Sequence, residues 1–109
     1  MGQLMYGNAV TPIGVDDELL THLRTVIVTK LRRNESFPLT VRNGDGAAET
    51  MWLHAAIPLR MVVAEEAEVN RPLMAAMMNA ASLPAGLDLT RDEFAPGVAG
   101  SPSLRAMTA

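Results

Sequence analysis

Apolar residues recur at helical spacing between Leu19 and Leu31. Leu19, Leu20, Leu23, Val26, Ile27 and Leu31 fall on one side of a helical wheel, with Glu18, His22, Thr25, Thr29 and Arg32 on the other. Val28 alone breaks the pattern, as a lone apolar residue among polar neighbours. The ends agree with the period. Asp16 is placed to cap the first turn, Asp17 and Glu18 favour the positive end of the helix dipole, and Lys30, Arg32 and Arg33 favour the negative end. Val15 and Leu20 stand at the positions of a hydrophobic staple, and Asn34 supplies a left-handed stop. The pattern predicts one amphipathic helix from Asp16 to Arg33.

Beyond it the period changes to two. Phe37, Leu39 and Val41 alternate with Pro38, Thr40 and Arg42, and Pro38 fits only a sheet edge or a strand start. Asn43-Gly44-Asp45-Gly46 is hairpin chemistry, and it leads to a strand from about Glu49 to His54. A further alternation, Ile57, Leu59, Met61 and Val63, completes an expected antiparallel meander of three strands. Before the helix, Gln3 to Tyr6 reads as a short strand with Leu4 and Tyr6 on one side, followed by a loop through Pro12 and Gly14. After the meander, an acidic loop, Glu65 to Glu68, leads to Asn70-Arg71-Pro72, a cap followed by a first-turn proline. Leu73, Met74, Met77, Met78 and Ala81 then mark a short second helix, stopped by Leu83-Pro84-Ala85-Gly86. Leu87 to Leu89 is a last edge strand. From Arg91 to Ala109 no period remains, so residues 1–90 are expected to form a single domain and 91–109 a flexible tail.

The order strand, helix, three strands, helix, strand implies an α+β two-layer sandwich: one antiparallel sheet with both helices on one face. On that register the uncovered face carries Pro38, Thr40, Arg42, Thr50, Trp52, His54, Arg60 and Val62.

Composition narrows the function more than it defines it. With 109 residues and 11.7 kDa there is room for one domain that buries a core without staples. The chain has no cysteine, which removes thiolate catalysis and thiolate zinc ligation and suits a reducing compartment. No stretch resembles a signal peptide or a membrane span, and Tyr6 stands where a myristoylation motif has Ser or Thr, so the cytoplasm is the expected location. A net charge of -3 and pI near 5.2 argue against holding nucleic acid by bulk charge. The charges are nevertheless divided. Between Thr21 and Arg42, Arg24, Lys30, Arg32, Arg33 and Arg42 face only Glu35, whereas Asp45, Glu49, Glu65, Glu66 and Glu68 face only Arg60 in the next stretch.

No catalytic motif emerges. His22 and His54 lack H-x-x-x-H or H-E-x-x-H spacing, Ser36 sits in E-S-F rather than a nucleophile elbow, and the glycines of Asn43 to Gly46 serve a turn without a following G-K. Neither a metal nor a cofactor is called for. Lys30, Arg32 and Arg33 are candidate contacts for phosphates or an acidic partner, alongside their role at the helix end. Trp52 is the outstanding candidate: a tryptophan on an uncovered sheet face is a natural interface anchor, with Arg42, Arg60 and His54 as neighbours.

The run H-L-x-x-V-I-x-x-K-L-R-R-x-E-S-F from His22 to Phe37, with W-x-H at Trp52 to His54 and Asn70-Arg71 before the second helix, resembles a family of short, uncharacterised actinobacterial proteins. The resemblance covers about residues 1–90 and implies an actinobacterium or one of its phages as the source. Such proteins often carry an automatic label of ATP-dependent DNA ligase or ligase-associated protein. The residues do not support nucleotidyl transfer, because no K-x-D-G occurs and Lys30 is followed by Leu31, Arg32 and Arg33. Ala55 also stands where the family has a proline, and Ala48-Glu49 where it has Gly-Arg. The reading from sequence is therefore a non-enzymatic binding module that acts through protein contacts, in its simplest form a homodimer. The alternative is a nucleic-acid-associated accessory factor using the basic helix end.

Overall fold

The computed structural model describes residues 1–8 and 11–94. Its first helix, α1 (Asp17–Arg32), forms where period and caps place it. The Asp16 carboxylate accepts the amide protons of Glu18 and Leu19 at 3.1 and 3.4 Å, satisfying donors the first turn leaves without partners. Leu19, Leu20, Leu23, Val26 and Ile27 are buried, and Val28 is exposed as expected. Asn34, at φ 60°, takes the chain out of the helix.

The hairpin also follows the pattern. Strand β3 (Phe37–Arg42) pairs antiparallel with β4 (Ala48–Leu53), placing Pro38 opposite Trp52 and Thr40 opposite Thr50. At the turn the Asn43 carbonyl accepts from Gly46 N–H and the Asn43 N–H donates to the Ala47 carbonyl, both at 2.9 Å. Gly46 at φ 82° provides the left-handed residue of this three-residue loop.

The meander does not continue. The run after β4 forms β5 (Leu59–Val62), but β5 pairs with β1 (Gly2–Tyr6), not with β4. A turn in which Ile57 N–H donates to the His54 carbonyl redirects the chain, and the Pro58 carbonyl then accepts from Gly7 N–H at 2.8 Å, starting the new pairing. The segment expected as a loop around Pro12 to Gly14 contributes β2 (Ile13–Val15) to the other side of β1. The α+β class stands, with its strands divided into two three-stranded sheets, ordered β2-β1-β5 and β4-β3-β6, the last strand being Leu87–Asp88.

Strand β6 (Leu87–Asp88) runs parallel to β3, so β3 is the central strand of its sheet. Pro38 is tolerated there because it is the second residue of β3, one position before the pairing with β6 begins at Leu39. Gly86, at φ 77°, packs against the Pro38 carbonyl so closely that a Cβ would collide with it.

Helix α2 (Arg71–Ala81) begins as predicted, with the Asn70 side chain accepting from Leu73 N–H at 3.1 Å and a proline in the first turn. It buries Leu73, Met77 and Ala81 against α1, β3 and β6, whereas Met74 and Met78 are only partly covered. The core joins these to Leu4, the α1 stripe, Phe37, Leu39, Val41, Leu53 and Leu87. Order extends past the boundary expected at Arg91: Asp92–Phe94 forms a 3-10 turn, and Phe94 is fully buried in the core. The rest of the expected tail, 95–109, lies outside the described residues. Among the described residues no helix is long and apolar enough to cross a membrane.

Candidate interaction surface

Because the β3–β4 register matches the alternation, inner and outer faces sort as the sequence implies. Phe37, Leu39, Val41 and Leu53 turn inward and are buried, while Pro38, Thr40, Arg42, Thr50 and Trp52 share the other side. Trp52 is 61% exposed, an uncommon position for the chain's one tryptophan. Beside it, Pro38, Leu83 and Pro84 line a shallow groove that continues to Lys30, Glu35 and Ser82. Leu83 is 59% exposed, so two large apolar side chains stand uncovered around one depression. Thr40 and Thr50 hydrogen-bond each other across the strands at 2.8 Å, which satisfies the middle of the face.

Not every expected member joins this surface. Arg42 does, at the far end from Trp52, where its guanidinium donates to the Gly46 carbonyl at 2.7 Å. His54 is exposed just beyond β4, and its Nδ1 accepts from Ala56 N–H at 3.0 Å. Arg60 and Val62 are exposed, but they pair with Met5 and Gln3 in the other sheet and do not share the Trp52 face. The cause is the partner exchange that gives β5 to β1.

The basic helix end is also altered. Arg32 and Arg33 are exposed, but Lys30 is buried and donates to Glu35 Oε1 at 3.2 Å and Ser82 Oγ at 2.9 Å. It is therefore not an open phosphate contact: it joins the end of α1 to the end of α2. Lys30 is engaged by the Glu35 carboxylate as well as by Ser82, and Ser82 Oγ donates to the Met78 carbonyl at 3.3 Å. The arrangement acts as a structural tie.

Two features escaped the sequence reading. Tyr6 at the end of β1 bridges the sheets, donating its hydroxyl to the Trp52 carbonyl at 2.5 Å and accepting from His54 N–H at 3.0 Å. The second is a strip along α1. One flank of the helix, which takes in His22 of the expected polar face while Thr25 and Arg32 of that face stay exposed, is covered by the segment between β5 and α2: Asp17 Oδ1 accepts from Ala64 N–H, Thr21 Oγ1 from Ala67 N–H and His22 Nε2 from Asn70 N–H, while Arg24 pairs with Glu66 at 2.7 Å. His22, expected on the side opposite the apolar stripe, is fully buried. Its Nδ1 donates to the Glu18 carbonyl at 2.7 Å while Nε2 accepts at 2.8 Å, so both nitrogens serve backbone groups and the proton sits on Nδ1. The signal was faint: the amides of an aperiodic segment need acceptors, but nothing local identifies the side chains that accept from them.

A family described as a domain of unknown function, DUF7882, matches residues 1–92, and the chain belongs to it. No curated protein and no solved structure matches the chain.

Proposed function

We propose that this member of the family is a non-enzymatic protein-binding module that acts through the outer face of the β4-β3-β6 sheet, in its simplest form by pairing with a second copy of itself. The observation that carries this reading is the exposure of Trp52, 61%, next to Leu83, 59%, around one groove. Covering such side chains removes apolar surface from water, and tryptophan is over-represented among residues that dominate interface energetics. Thr40 and Thr50 hydrogen-bond each other, so a partner lying over them has one hydroxyl proton to accept rather than two.

The cytoplasm and an actinobacterial or phage source belong to the same proposal, supported by the cysteine-free composition and by the motif from His22 to Phe37. The alternative, a nucleic-acid accessory factor, loses one of its three helix-end cations to the Glu35 and Ser82 contacts and keeps Arg32 and Arg33. A salt series separates the two, because phosphate binding weakens steeply with salt and an apolar contact does not.

The test uses Trp52 as its own reporter. Light scattering across a concentration series is expected to show a dimer, with Trp52 emission shifting to the blue as it forms. Trp52→Lys is expected to remain monomeric and folded. A wild-type chain that stays monomeric, with solvent-exposed Trp52 emission at every concentration, overturns self-association.

A further inference from the structure

Strand β4 has a second side that the outer-face contact does not use. It is the terminal strand of its sheet, paired only with β3 among the described residues. The direction of its backbone groups follows from three observations. The bond from Asn43 N–H to the Ala47 carbonyl makes the odd-numbered pairs, Val41–Glu49, Leu39–Met51 and Phe37–Leu53, the hydrogen-bonded ones. The Thr40 carbonyl accepts from Leu89 N–H, on the side away from β4, and Tyr6 reaches the Trp52 carbonyl and His54 N–H from the side away from β3. The backbone groups of Ala48 and Thr50 and the N–H of Trp52 therefore point outward, along a free edge of about 14 Å at the usual strand rise.

That edge opens onto a cleft of about 610 Å³ between the two sheets. Leu4, Tyr6, Ile13 and Met51 give it apolar walls, and Asp45 and Glu49 stand at its hairpin end. Among the described residues no lysine or arginine lines it: Arg42, at the same hairpin, is turned to the Gly46 carbonyl. Glu49 receives one hydrogen bond, from the Asn43 side chain at 3.3 Å, and the Asp45 carboxylate receives none among the described residues. An exposed strand edge beside such a cleft is the geometry of strand addition, in which main-chain bonds give affinity and alternate side chains give specificity.

We infer that this edge and cleft take an extended basic segment of a partner protein. The segment pairs with Ala48, Thr50 and Trp52. It sets one apolar side chain opposite Met51 and, two residues away on the same face, a lysine or arginine opposite Glu49 and near Asp45. Tyr6 ends the pairing by occupying the Trp52 carbonyl. The inference shares the reading of this chain as a protein-binding module but uses a different surface, so Leu83→Lys, in the outer-face groove and away from the β4 edge, separates them: it is expected to abolish self-association and leave segment binding intact.

The experiment is an amide-resolved NMR titration with two capped peptides, Thr-Lys-Thr-Val-Thr and Thr-Val-Thr-Lys-Thr, which cover both strand directions, against Thr-Glu-Thr-Val-Thr. One basic peptide is expected to shift the Thr50 and Trp52 amides and to bind about tenfold more tightly than the acidic one. Thr50→Pro removes an outward N–H that no strand among the described residues uses, and it is expected to abolish binding while core amides stay in place. The surface variant Asp45→Lys/Glu49→Lys, whose side chains carry no core packing, is expected to reverse the preference between basic and acidic peptides. The inference is overturned if neither basic peptide moves the Thr50 and Trp52 amides at millimolar concentration. It also fails if the acidic peptide binds as well, or if the double reversal leaves the preference unchanged.

Discussion

One flank of α1 and the outer face of β3–β4 both present polar side chains, yet only one of them is open. Along α1, Asp17, Thr21 and His22 are engaged by the amides of Ala64, Ala67 and Asn70, and His22 is sealed completely. On the sheet, Trp52 remains 61% exposed. Polarity alone would assign these the other way round. The difference lies in unmet backbone hydrogen bonds. The segment from Ala64 to Asn70 has no strand partner, so its amides need acceptors, and a helix flank offering a carboxylate, a hydroxyl and an imidazole provides them. The sheet face offers nothing comparable, because its strands already pair and its threonines bond each other.

The largest expected effect comes from removing the acceptor at the centre of the covered flank. His22→Leu keeps the volume but leaves Asn70 N–H, at the cap of α2, without its acceptor, and is expected to cost about 2 kcal/mol in urea denaturation followed by far-ultraviolet circular dichroism. His22→Gln offers an oxygen at similar reach and should recover part of the loss. If both variants cost the same, the hydrogen bond is not what holds the segment down. Nitrogen chemical shifts of the imidazole sharpen the point, since the geometry requires the proton on Nδ1.

What could be read in advance follows the same division between local and distant causes. Asp16, the α1 stripe and Asn34 specify the helix from within its own stretch of chain, and they form it. Thr50 and Trp52 lie on the expected face because the turn at Asn43 to Gly46 pins the register of two adjoining strands. By contrast, the pairing of β5 with β1 joins segments more than fifty residues apart, and β6 joins β3 in parallel across a helix. Such partners are chosen by which edges remain open once the local units form, and no period in either strand records it. Arg60 was misplaced for that reason, and Lys30 because Ser82, its partner, arrives from the end of another helix. Phe94, a lone aromatic residue in an aperiodic stretch, offered no pattern to read.

An intermediate effect is expected at Trp52. A tryptophan buried in a core costs about 3–5 kcal/mol when cut to alanine, but most of this side chain already faces water. Trp52→Ala should therefore lower the stability of the monomer by only about 1 kcal/mol, through lost packing in the groove with Pro38. Denaturation at a concentration below self-association isolates this term. A loss near the core value would mean that the outer face is covered within the monomer, and the contrast with α1 would collapse.

The smallest effect is expected at Lys30, where the two regions meet. Its side chain is 11% exposed and its carboxylate partner, Glu35, 46% exposed, so the pair is half in water. Lys30→Met replaces the buried stem with an apolar one of similar length and removes the ammonium together with its desolvation cost. Glu35 then turns to solvent and Ser82 Oγ keeps its bond to the Met78 carbonyl, so the stability change should stay within about 0.5 kcal/mol of zero. Glu35→Gln should cost somewhat more, because it leaves the buried ammonium in place without its counter-charge. The order of the two distinguishes a tie retained for packing from one retained for charge. If Lys30→Met proves the more damaging, the ammonium is holding the ends of α1 and α2 together through Ser82, and the polar flank of α1 depends on electrostatics over its whole length.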